Sequence, residues 1–558
     1  MIKIKIPLFI FVFYDKRQNF RSVKVDKYEV LKKYYGYRSF RTGQETIIEG
    51  ILCGRDAFGI MPTGAGKSIC YQVPALMMSG ITIVVSPLIS LMKDQVRALN
   101  EAGVHAAYIN SSLTENQIVK ALANAKNGRY KIVYAAPERL LTSRFLDFAL
   151  HVPISMVTVD EAHCISQWGQ DFRPSYLNIV DLVERLPQRP VVSAFTATAT
   201  DVVQSDIMRI LKLNHPIHIV TGYDRKNLYF EVVQSDKKDW LMVDYIQRHE
   251  NESGIIYCST RKNVEKVYNL LVRQGISVTK YHAGLDGEVR KKNQDEFIYD
   301  EKKIVVATNA FGMGIDKSNV RYVLHYNMPQ SMENYYQEAG RAGRDGEAAE
   351  CILFYSPQDV VINRFLIDNR EVRADLTPQE DAKLKERDHE RLKQMAFYAK
   401  GKYCLRRSIL YYFGEQAPYK CNNCSNCLEH HVVNVNDITN IQLYQKQPLS
   451  MYRNNNKNIS YYVKKDSAYN KQSTSKEISV KDLQGEQKIL YDELRKLRLK
   501  LARAKGVPPY IIFSDKTLAD MCEKHPSNKA QMLEVVGVGE NKYDMYGEKF
   551  LKVIKKYS

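Results

Sequence analysis

The run Phe58-Gly-Ile-Met-Pro-Thr-Gly-Ala-Gly-Lys-Ser68 sets two close glycines before a lysine and a hydroxyl. Gly64 and Gly66 let successive backbone N–H groups, those of Thr63 and Ala65 included, wrap a polyphosphate at a helix N-terminus. Lys67 is placed to reach the β- and γ-phosphates and Ser68 to ligate Mg²⁺, so the chemistry implied is binding of ATP with its metal. Val157-Thr-Val-Asp-Glu-Ala-His163 puts Asp160 and Glu161 side by side after an apolar run. Asp160 suits a water-mediated contact to Mg²⁺, and Glu161 can polarise an attacking water. Gln337-Glu-Ala-Gly-Arg-Ala-Gly-Arg344 supplies Arg341 and Arg344 at helical spacing behind Gln337. Guanidinium groups so placed can reach across a cleft and stabilise charge developing on a γ-phosphate. An Asp-Glu pair or a basic helix end is ordinary structural material taken alone; Lys67 makes them parts of one hydrolytic set.

Cys404, Cys421, Cys424 and Cys427 form the pattern C-x16-C-x2-C-x2-C. Four thiolates close a tetrahedral structural Zn²⁺ site and leave no open position for catalysis. Cys53, Cys70, Cys164, Cys258, Cys351 and Cys522 read as packing residues.

These groups need a scaffold that brings them to one edge. Short apolar runs alternate with helical stretches from about residue 45 to 356. A first set lies at 57–61, 81–86, 131–135, 155–159 and 191–195. A second lies at 228–233, 254–258, 278–281, 304–307, 322–326 and 351–355. Such runs are strands buried on both faces, and their alternation with helices builds parallel sheets. The expected fold is α/β, with two parallel-sheet lobes and a seam near 221–227. The phosphate loop and the Asp-Glu pair belong to the first lobe and the arginines to the second, which ties hydrolysis to closure of a cleft.

In order along the chain the motifs resemble those of superfamily 2 helicases, and more narrowly the RecQ family. Tyr35-Gly-Tyr-Arg-Ser-Phe-Arg-Thr-Gly-Gln44 is similar to the segment ahead of the phosphate loop; by resemblance Tyr37 and Arg41 hold the adenine ring and Gln44 reads its edge. Met61, in place of a glycine of the strict phosphate-loop pattern, fits the helicase subclass. Val85-Ser-Pro-Leu-Ile-Ser-Leu-Met-Lys-Asp-Gln95 and Ala136-Pro-Glu-Arg139 resemble first-lobe DNA-contact motifs, and Ser193-Ala-Phe-Thr-Ala-Thr198 the motif coupling hydrolysis to DNA. Tyr257-Cys-Ser-Thr260, Tyr281-His-Ala-Gly284 and Ala307-Thr-Asn-Ala-Phe-Gly-Met-Gly-Ile-Asp316, with Thr308 and Asn309 on DNA, complete the series.

The family-specific element is the loop His163-Cys-Ile-Ser-Gln-Trp-Gly-Gln-Asp-Phe-Arg-Pro174. Trp168 and Phe172 can stack on unpaired bases, at about 1–3 kcal/mol per base. Arg173 can contact phosphate or nucleotide, so the loop can signal DNA occupancy to Glu161. The family usually has His where Gln170 stands; Gln keeps the hydrogen bonds but carries no proton.

The resemblance implies an N-terminal extension (1–26), an ATP-binding RecA-like lobe (27–224), a second RecA-like lobe (225–357), a helical zinc-binding module (358–428), a linker (429–483) and a small all-α HRDC bundle (484–558). The linker is short and poor in apolar residues for the family's winged helix, which is expected to be absent or degenerate. The HRDC bundle is then an auxiliary DNA- or protein-binding element on a flexible tether. The implied activity is ATP-dependent, 3′-to-5′ unwinding of DNA in recombination, repair or replication-fork maintenance. ATP, Mg²⁺ and Zn²⁺ are the cofactors. Single-stranded and forked DNA are the partners, with single-stranded DNA-binding protein as a further one and a monomer as the working unit. An RNA helicase on the same lobes is disfavoured by the Trp168 loop and the zinc pattern. A scaffold without catalysis is disfavoured by the intact Lys67, Asp160, Glu161, Arg341 and Arg344.

Composition agrees. The 558 residues carry 81 Lys plus Arg against 63 Asp plus Glu, a formal charge of +18, which favours a polyanionic partner. No apolar run approaches the ~20 residues that span a bilayer. Met1–Tyr14 resembles the front of a signal peptide, but its apolar stretch is short, Asp15-Lys-Arg-Gln18 follows and no small-residue cleavage site is present, so it reads as an extra strand or a misplaced start. Clustered rather than framework cysteines point to a reducing, cytoplasmic setting without membrane contact.

Overall fold

The computed structural model describes residues 26–312, 317–370, 377–428 and 483–557. The N-terminal extension before residue 26, the linker at 429–482 and the 313–316 end of the Ala307 motif lie outside the described residues.

The first sheet contains β1 (Ala57–Ile60), β2 (Ile81–Val85), β3 (Ala106–Ile109), β4 (Ile132–Ala135), β5 (Ile154–Val159), β6 (Val191–Thr196) and β7 (Ile217–Val220), in the order β3-β4-β2-β5-β6-β1-β7. The second contains β8 (Leu228–Gln234), β9 (Ser253–Tyr257), β10 (Val278–Tyr281), β11 (Ile304–Ala307), β12 (Val320–His325) and β13 (Ala349–Tyr355), in the order β10-β11-β9-β12-β13-β8. Every pairing within each sheet is parallel. β3 and β7 are additions to the strands read from sequence. Each is a sheet edge: β3 (Ala106, Ala107, Tyr108, Ile109) is a short apolar run buried only at its ends, and β7 (Ile217, His218, Ile219, Val220) is broken by a histidine and nowhere fully buried. In a parallel sheet the loops leaving the carboxyl ends share one edge, the usual place for ligands. The phosphate loop leaves β1, Asp160 and Glu161 leave β5, and Thr308 leaves β11.

Two helices, Pro357–Asp368 and Pro378–Lys400, follow β13, each opened by a capping box, Ser356 with Asp359 and Thr377 with Glu380. The helix Leu405–Tyr412 comes next, with Cys404 as its N-cap. The sulfurs of Cys404, Cys421, Cys424 and Cys427 lie within 4.8 Å of one another, and Cys421 and Cys427 are 3.9 Å apart. A tetrahedron with Zn–S of about 2.3 Å needs sulfur separations of roughly 3.8 Å, so the cluster fits zinc. Hydrogen bonding among the sulfurs raises the Cys404 thiol and holds Cys421 below the ordinary thiol range. A dication relieves that competition by letting all four ionise. The knuckle is joined to the second lobe by a parallel bridge between Cys424 and Phe230 of β8, and Asn423 Nδ2 donates to the Leu228 carbonyl at 3.1 Å. Of the six remaining cysteines five are buried as expected; Cys53, at the end of the helix Gln44–Leu52, is exposed and packs nothing.

The C-terminal helices, among them Glu486–Lys505, Asp515–Lys524 and Glu548–Ile554, enclose their own core of Leu490, Leu494, Phe513, Leu518 and Phe550. The bundle is not merely tethered. Gly537 N donates to the Gly36 carbonyl at 3.0 Å, and Asn541 Nδ2 to the Glu101 carbonyl at 3.1 Å, both in the first lobe. Arg495 pairs with Asp300 at 2.6 Å, and Tyr299 Oη donates to the Val507 carbonyl at 3.0 Å, both joining it to the second. No helix among the described residues is long and apolar enough to cross a membrane.

Cys424→Ser removes one ligand from a site that anchors the knuckle to β8. Elemental analysis of the intact protein is expected to give about one zinc per chain, and the variant to melt roughly 5–10 °C lower. Absence of metal together with an unchanged melting temperature overturns the zinc assignment.

Candidate active site

The phosphate loop is shaped by glycine. Gly66 has φ of 84° and is the N-cap of the helix Lys67–Met77. A Cβ there would stand 2.6 Å from Gln44 Nε2, so the position needs both the left-handed backbone and the missing side chain. Gln44 is buried and folds onto the loop, donating to the carbonyls of Ala65 at 3.2 Å and Gly66 at 3.0 Å, while its own carbonyl accepts from Arg41 N at 2.8 Å. Arg41 Nη1 donates to the Gly64 carbonyl at 2.5 Å. Tyr37 is exposed on the turn before it. The segment therefore braces the loop through Gln44 and Arg41 and leaves Tyr37 on the surface. Lys67 Nζ donates to the Met61 carbonyl at 3.2 Å, which holds its ammonium over the loop, and Ser68 follows in the first turn.

Asp160 is buried at the end of β5, where its N–H donates to the Val85 carbonyl at 2.9 Å. Burial, then the neighbouring Glu161, push its carboxyl up to about 7, against the pull of Lys67. A buried carboxylate so placed gains from a cation, so Asp160 and Ser68 fit Mg²⁺. Glu161 has φ of 46°, a conformation a non-glycine residue rarely adopts, and one that active sites retain. Its Oε2 lies 3.4 Å from His163 Nδ1. That ring nitrogen is also 2.9 Å from Thr196 Oγ1, which in turn donates to the Thr198 carbonyl at 3.1 Å. Burial lowers the pKa of His163, keeping the ring neutral. A continuous polar path thus links Glu161 to the Ser193–Thr198 segment.

The second lobe meets this loop directly. Thr63 Oγ1 donates to the Gly340 carbonyl at 2.9 Å. Arg225, half-buried at the seam, donates to Thr63 O at 3.1 Å, Gly340 O at 3.2 Å, Ala342 O at 2.9 Å and Gly343 O at 2.8 Å. The two arginines of the turn part company. Arg344 packs over the phosphate loop: a Cβ at Gly64 would lie 3.5 Å from its carbonyl and 3.7 Å from its Cγ. Arg341 is 4% exposed and donates to the Gly312 carbonyl inside the second lobe. Gln337 Oε1 accepts from Gln170 Nε2 of the aromatic loop at 3.1 Å.

The DNA-contact residues read from sequence divide as well. Trp168 is partly buried, and Phe172 is 6% exposed and packed inside. Arg173 pairs with Asp171 at 2.8 Å and donates to the Pro87 carbonyl at 3.1 Å, so it ties the loop to the Ser86-Pro87 turn. Thr308 is buried and Asn309 exposed beside it. Arg225, Arg387 and Arg391 make contacts around this site that motif spacing does not reveal. The first touches only main chain, and the other two lie on a helix whose packing partner is remote in sequence.

Comparison with known proteins agrees with this geometry. Residues 41–205 match the DEAD/DEAH box helicase family, 237–346 the helicase conserved C-terminal domain, 357–428 the RecQ zinc-binding domain and 487–554 the HRDC domain. The ATP-dependent DNA helicase RecQ of Bacillus subtilis is 40% identical, over 95% of this chain and 98% of its own length. That of Pasteurella multocida is 36% identical, over 95% of this chain and 93% of its own. Among solved structures, the DEAD-box helicase Mss116 bound to ssRNA and UDP-BeF aligns with a TM-score of 0.50 at 18% identity, over 66% of this chain and 86% of that one, a likeness of fold.

The separation of the two arginines is testable. Arg344→Ala is expected to lower ATP turnover by about 10³-fold, the worth of an arginine that meets developing phosphate charge, with little change in melting temperature. Arg341→Ala leaves the Gly312 carbonyl without its donor and is expected to destabilise the lobe by about 1–3 kcal/mol. Equal losses of turnover at full stability in both variants would refute the distinction.

Proposed function

This chain belongs to the RecQ family of helicases, and from that we propose that it is an ATP-driven DNA helicase moving 3′ to 5′ on single-stranded DNA and separating the duplex ahead. The observation that carries the reading is the direct junction of the phosphate loop with the arginine turn, through Thr63, Gly340 and Arg225. It makes nucleotide binding and lobe position one event. The reading divides the chain into an extension (1–26), lobes at 27–224 and 225–357, a zinc module at 358–428, a linker at 429–483 and the HRDC bundle at 484–558.

In this reading backbone N–H groups from Thr63 to Ser68 and the Lys67 ammonium hold the triphosphate, with Tyr37 and Arg41 beside the adenine and Gln44 bracing the loop. Mg²⁺, held through Ser68 and Asp160, supplies positive charge to the β- and γ-phosphates. Glu161 orients and deprotonates the attacking water, its strained backbone fixing the carboxylate at the loop. Arg344 meets the charge that develops as the γ-phosphoryl leaves, and Arg341 stiffens the turn from within the second lobe. Gln337 passes the state of that turn to Gln170 and hence to the Trp168 loop. Trp168 offers a stacking face to an unpaired base, Phe172 packs beneath it, Arg173 braces the Pro87 turn, and Thr308 with Asn309 line the second-lobe side of the strand. Cycles of closure and opening then advance the strand.

Single-stranded and forked DNA are the substrates. The setting is cytoplasmic, and the family's processes are recombination, repair and fork maintenance. A monomer suffices, because both halves of the nucleotide site come from one chain. Single-stranded DNA-binding protein is a fitting partner, since it holds the same strand.

The test sets tailed duplexes with 3′ or 5′ overhangs side by side. Unwinding of the 3′-tailed duplex alone is expected, with DNA stimulating ATPase more than RNA does; preference for the 5′ tail refutes the polarity. Lys67→Ala is expected to abolish turnover and leave DNA binding in place, because strand contacts are spread over many side chains.

A further inference from the structure

The helix Pro378–Lys400 of the zinc module meets the aromatic loop of the first lobe along its middle turns. Arg387 and Arg391, one turn apart and so on one helix face, both contact it. The Arg387 guanidinium carbon lies 3.7 Å from the centre of the Trp168 ring, and its Nη1 donates to the Gln167 carbonyl at 3.1 Å. Arg391 Nη2 donates to the carbonyls of Trp168 at 2.5 Å and Gly169 at 3.0 Å.

The two arginines are held differently. Arg391 is nearly buried, 3.1 Å from Asp388 and 3.8 Å from Glu333 of the helix Met332–Ala339, the helix that carries Gln337. It is fixed from three sides. Arg387 is half-buried and forms no ion pair among the described residues; the indole face and one carbonyl hold it. A planar cation on an indole occupies the surface on which a nucleobase would stack, and a stacked base binds that surface at least as well.

We infer that Arg387 is a positioning residue that stands in for a base on Trp168 when no DNA is bound. Single-stranded DNA displaces it, and the inference rests on the reading of Trp168 as a base-stacking residue. Displacement leaves Arg391 as the hinge of the loop and frees the Arg387 guanidinium for strand phosphate.

The consequence reaches the hydrolytic residues through short, stiff links. Gly169 is folded so tightly that a Cβ would stand 2.1 Å from the His163 carbonyl, so a shift of the Trp168 backbone is transmitted to His163. His163 is the residue between Glu161 and Thr196. On the other side Gln170 bonds Gln337, so the same shift is felt at the arginine turn. The arm thus holds the DNA-free loop in one pose, and base stacking releases it.

The chain has two tryptophans, and Trp240 is 63% exposed and remote from the loop in sequence. In a Trp240→Phe background the emission therefore reports Trp168 alone. Oligo-dT is expected to quench it as bases replace the guanidinium. In the same background Arg387→Ala is expected to raise acrylamide accessibility of Trp168 before DNA is added. It is also expected to raise the DNA-free ATPase rate by roughly fivefold, a shift within reach of a cation–π contact. Arg387→Lys keeps the charge without the planar stack and should fall between. If oligo-dT alters Trp168 emission but Arg387→Ala changes neither accessibility nor DNA-free turnover, the placeholder role is overturned and the stacking role stands. If oligo-dT leaves Trp168 emission unaltered while the protein binds DNA, both fall.

Discussion

One guanidinium sets the distance between the two lobes. Arg225 offers a rigid fork of donors, and it finds four main-chain carbonyls, one on the phosphate loop and three on the arginine turn. The glycine-rich character of both segments explains why main chain is what they present. A Cβ at Gly340 would stand 2.7 Å from Thr63 Oγ1, so the approach exists only because neither backbone is padded there. Burial lowers the pKa of Arg225, yet it stays charged, because a guanidinium does not deprotonate in this range. Lys67 and Arg344 inherit their separation from this contact. Loss of the fork would remove the side chain that bonds both segments at once and leave the Gly340 and Gly343 carbonyls to Thr63 and Asn227 alone, a cost that falls on the alignment of the hydrolytic groups.

The zinc module grips the same short stretch from behind. Tyr223 stacks on Phe413 with centroids 4.6 Å apart and donates to the Ala199 carbonyl at 2.7 Å, while its own carbonyl accepts from Tyr336 at 2.7 Å. Arg406, beside the ligand Cys404, pairs with Asp224 at 2.7 Å and donates to the Arg225 carbonyl at 2.7 Å. First lobe, second lobe and zinc module therefore meet at residues 223–225, and one buried apolar cluster runs through all three. A metal site remote from the nucleotide becomes a condition for the seam, since the helix that delivers Arg406 and Phe413 starts at a zinc ligand.

The central strands and the nucleotide motifs were legible because their signal is local. Buried parallel strands are continuous apolar runs, and the phosphate loop must write its glycines and lysine in sequence. The edge strands β3 and β7 were not, since one-sided pairing relaxes the demand for apolar residues. Side-chain roles were legible only to the level of the motif. Both Arg341 and Arg344 fit a charge-stabilising role by spacing, and only packing shows that Arg341 turns inward to Gly312 while Arg344 covers Gly64. Phe172 and Arg173 looked like DNA contacts beside Trp168, but the loop folds so that one fills the interior and the other braces Pro87. Arg387 and Arg391 sit in a charged helix where nothing in sequence names their partners.

The seat of the HRDC bundle was illegible for a related reason, and its chemistry bears on how firmly it is held. The contact with the second lobe joins paired charges to the packing of Tyr299 on the bundle. Asp300 is paired with Lys317 and Arg495, and Asp515 with Arg498 at 2.7 Å and with Ser318 at 3.3 Å. Burial alone would raise both carboxyls, but Lys317 and Arg495 hold Asp300, and Arg498 holds Asp515, below the usual carboxylate range. The apolar core of the bundle is separate from that of the lobes. Ion pairs such as these are offset in part by the desolvation of their members. Lys317, buried against Asp300, ties the chain just beyond the Ala307 motif into this seat. The seat of the bundle on the second lobe thus combines the Arg495–Asp300 pair, the Ser318–Asp515 hydrogen bond and the Tyr299 contact, none of which a single motif announces.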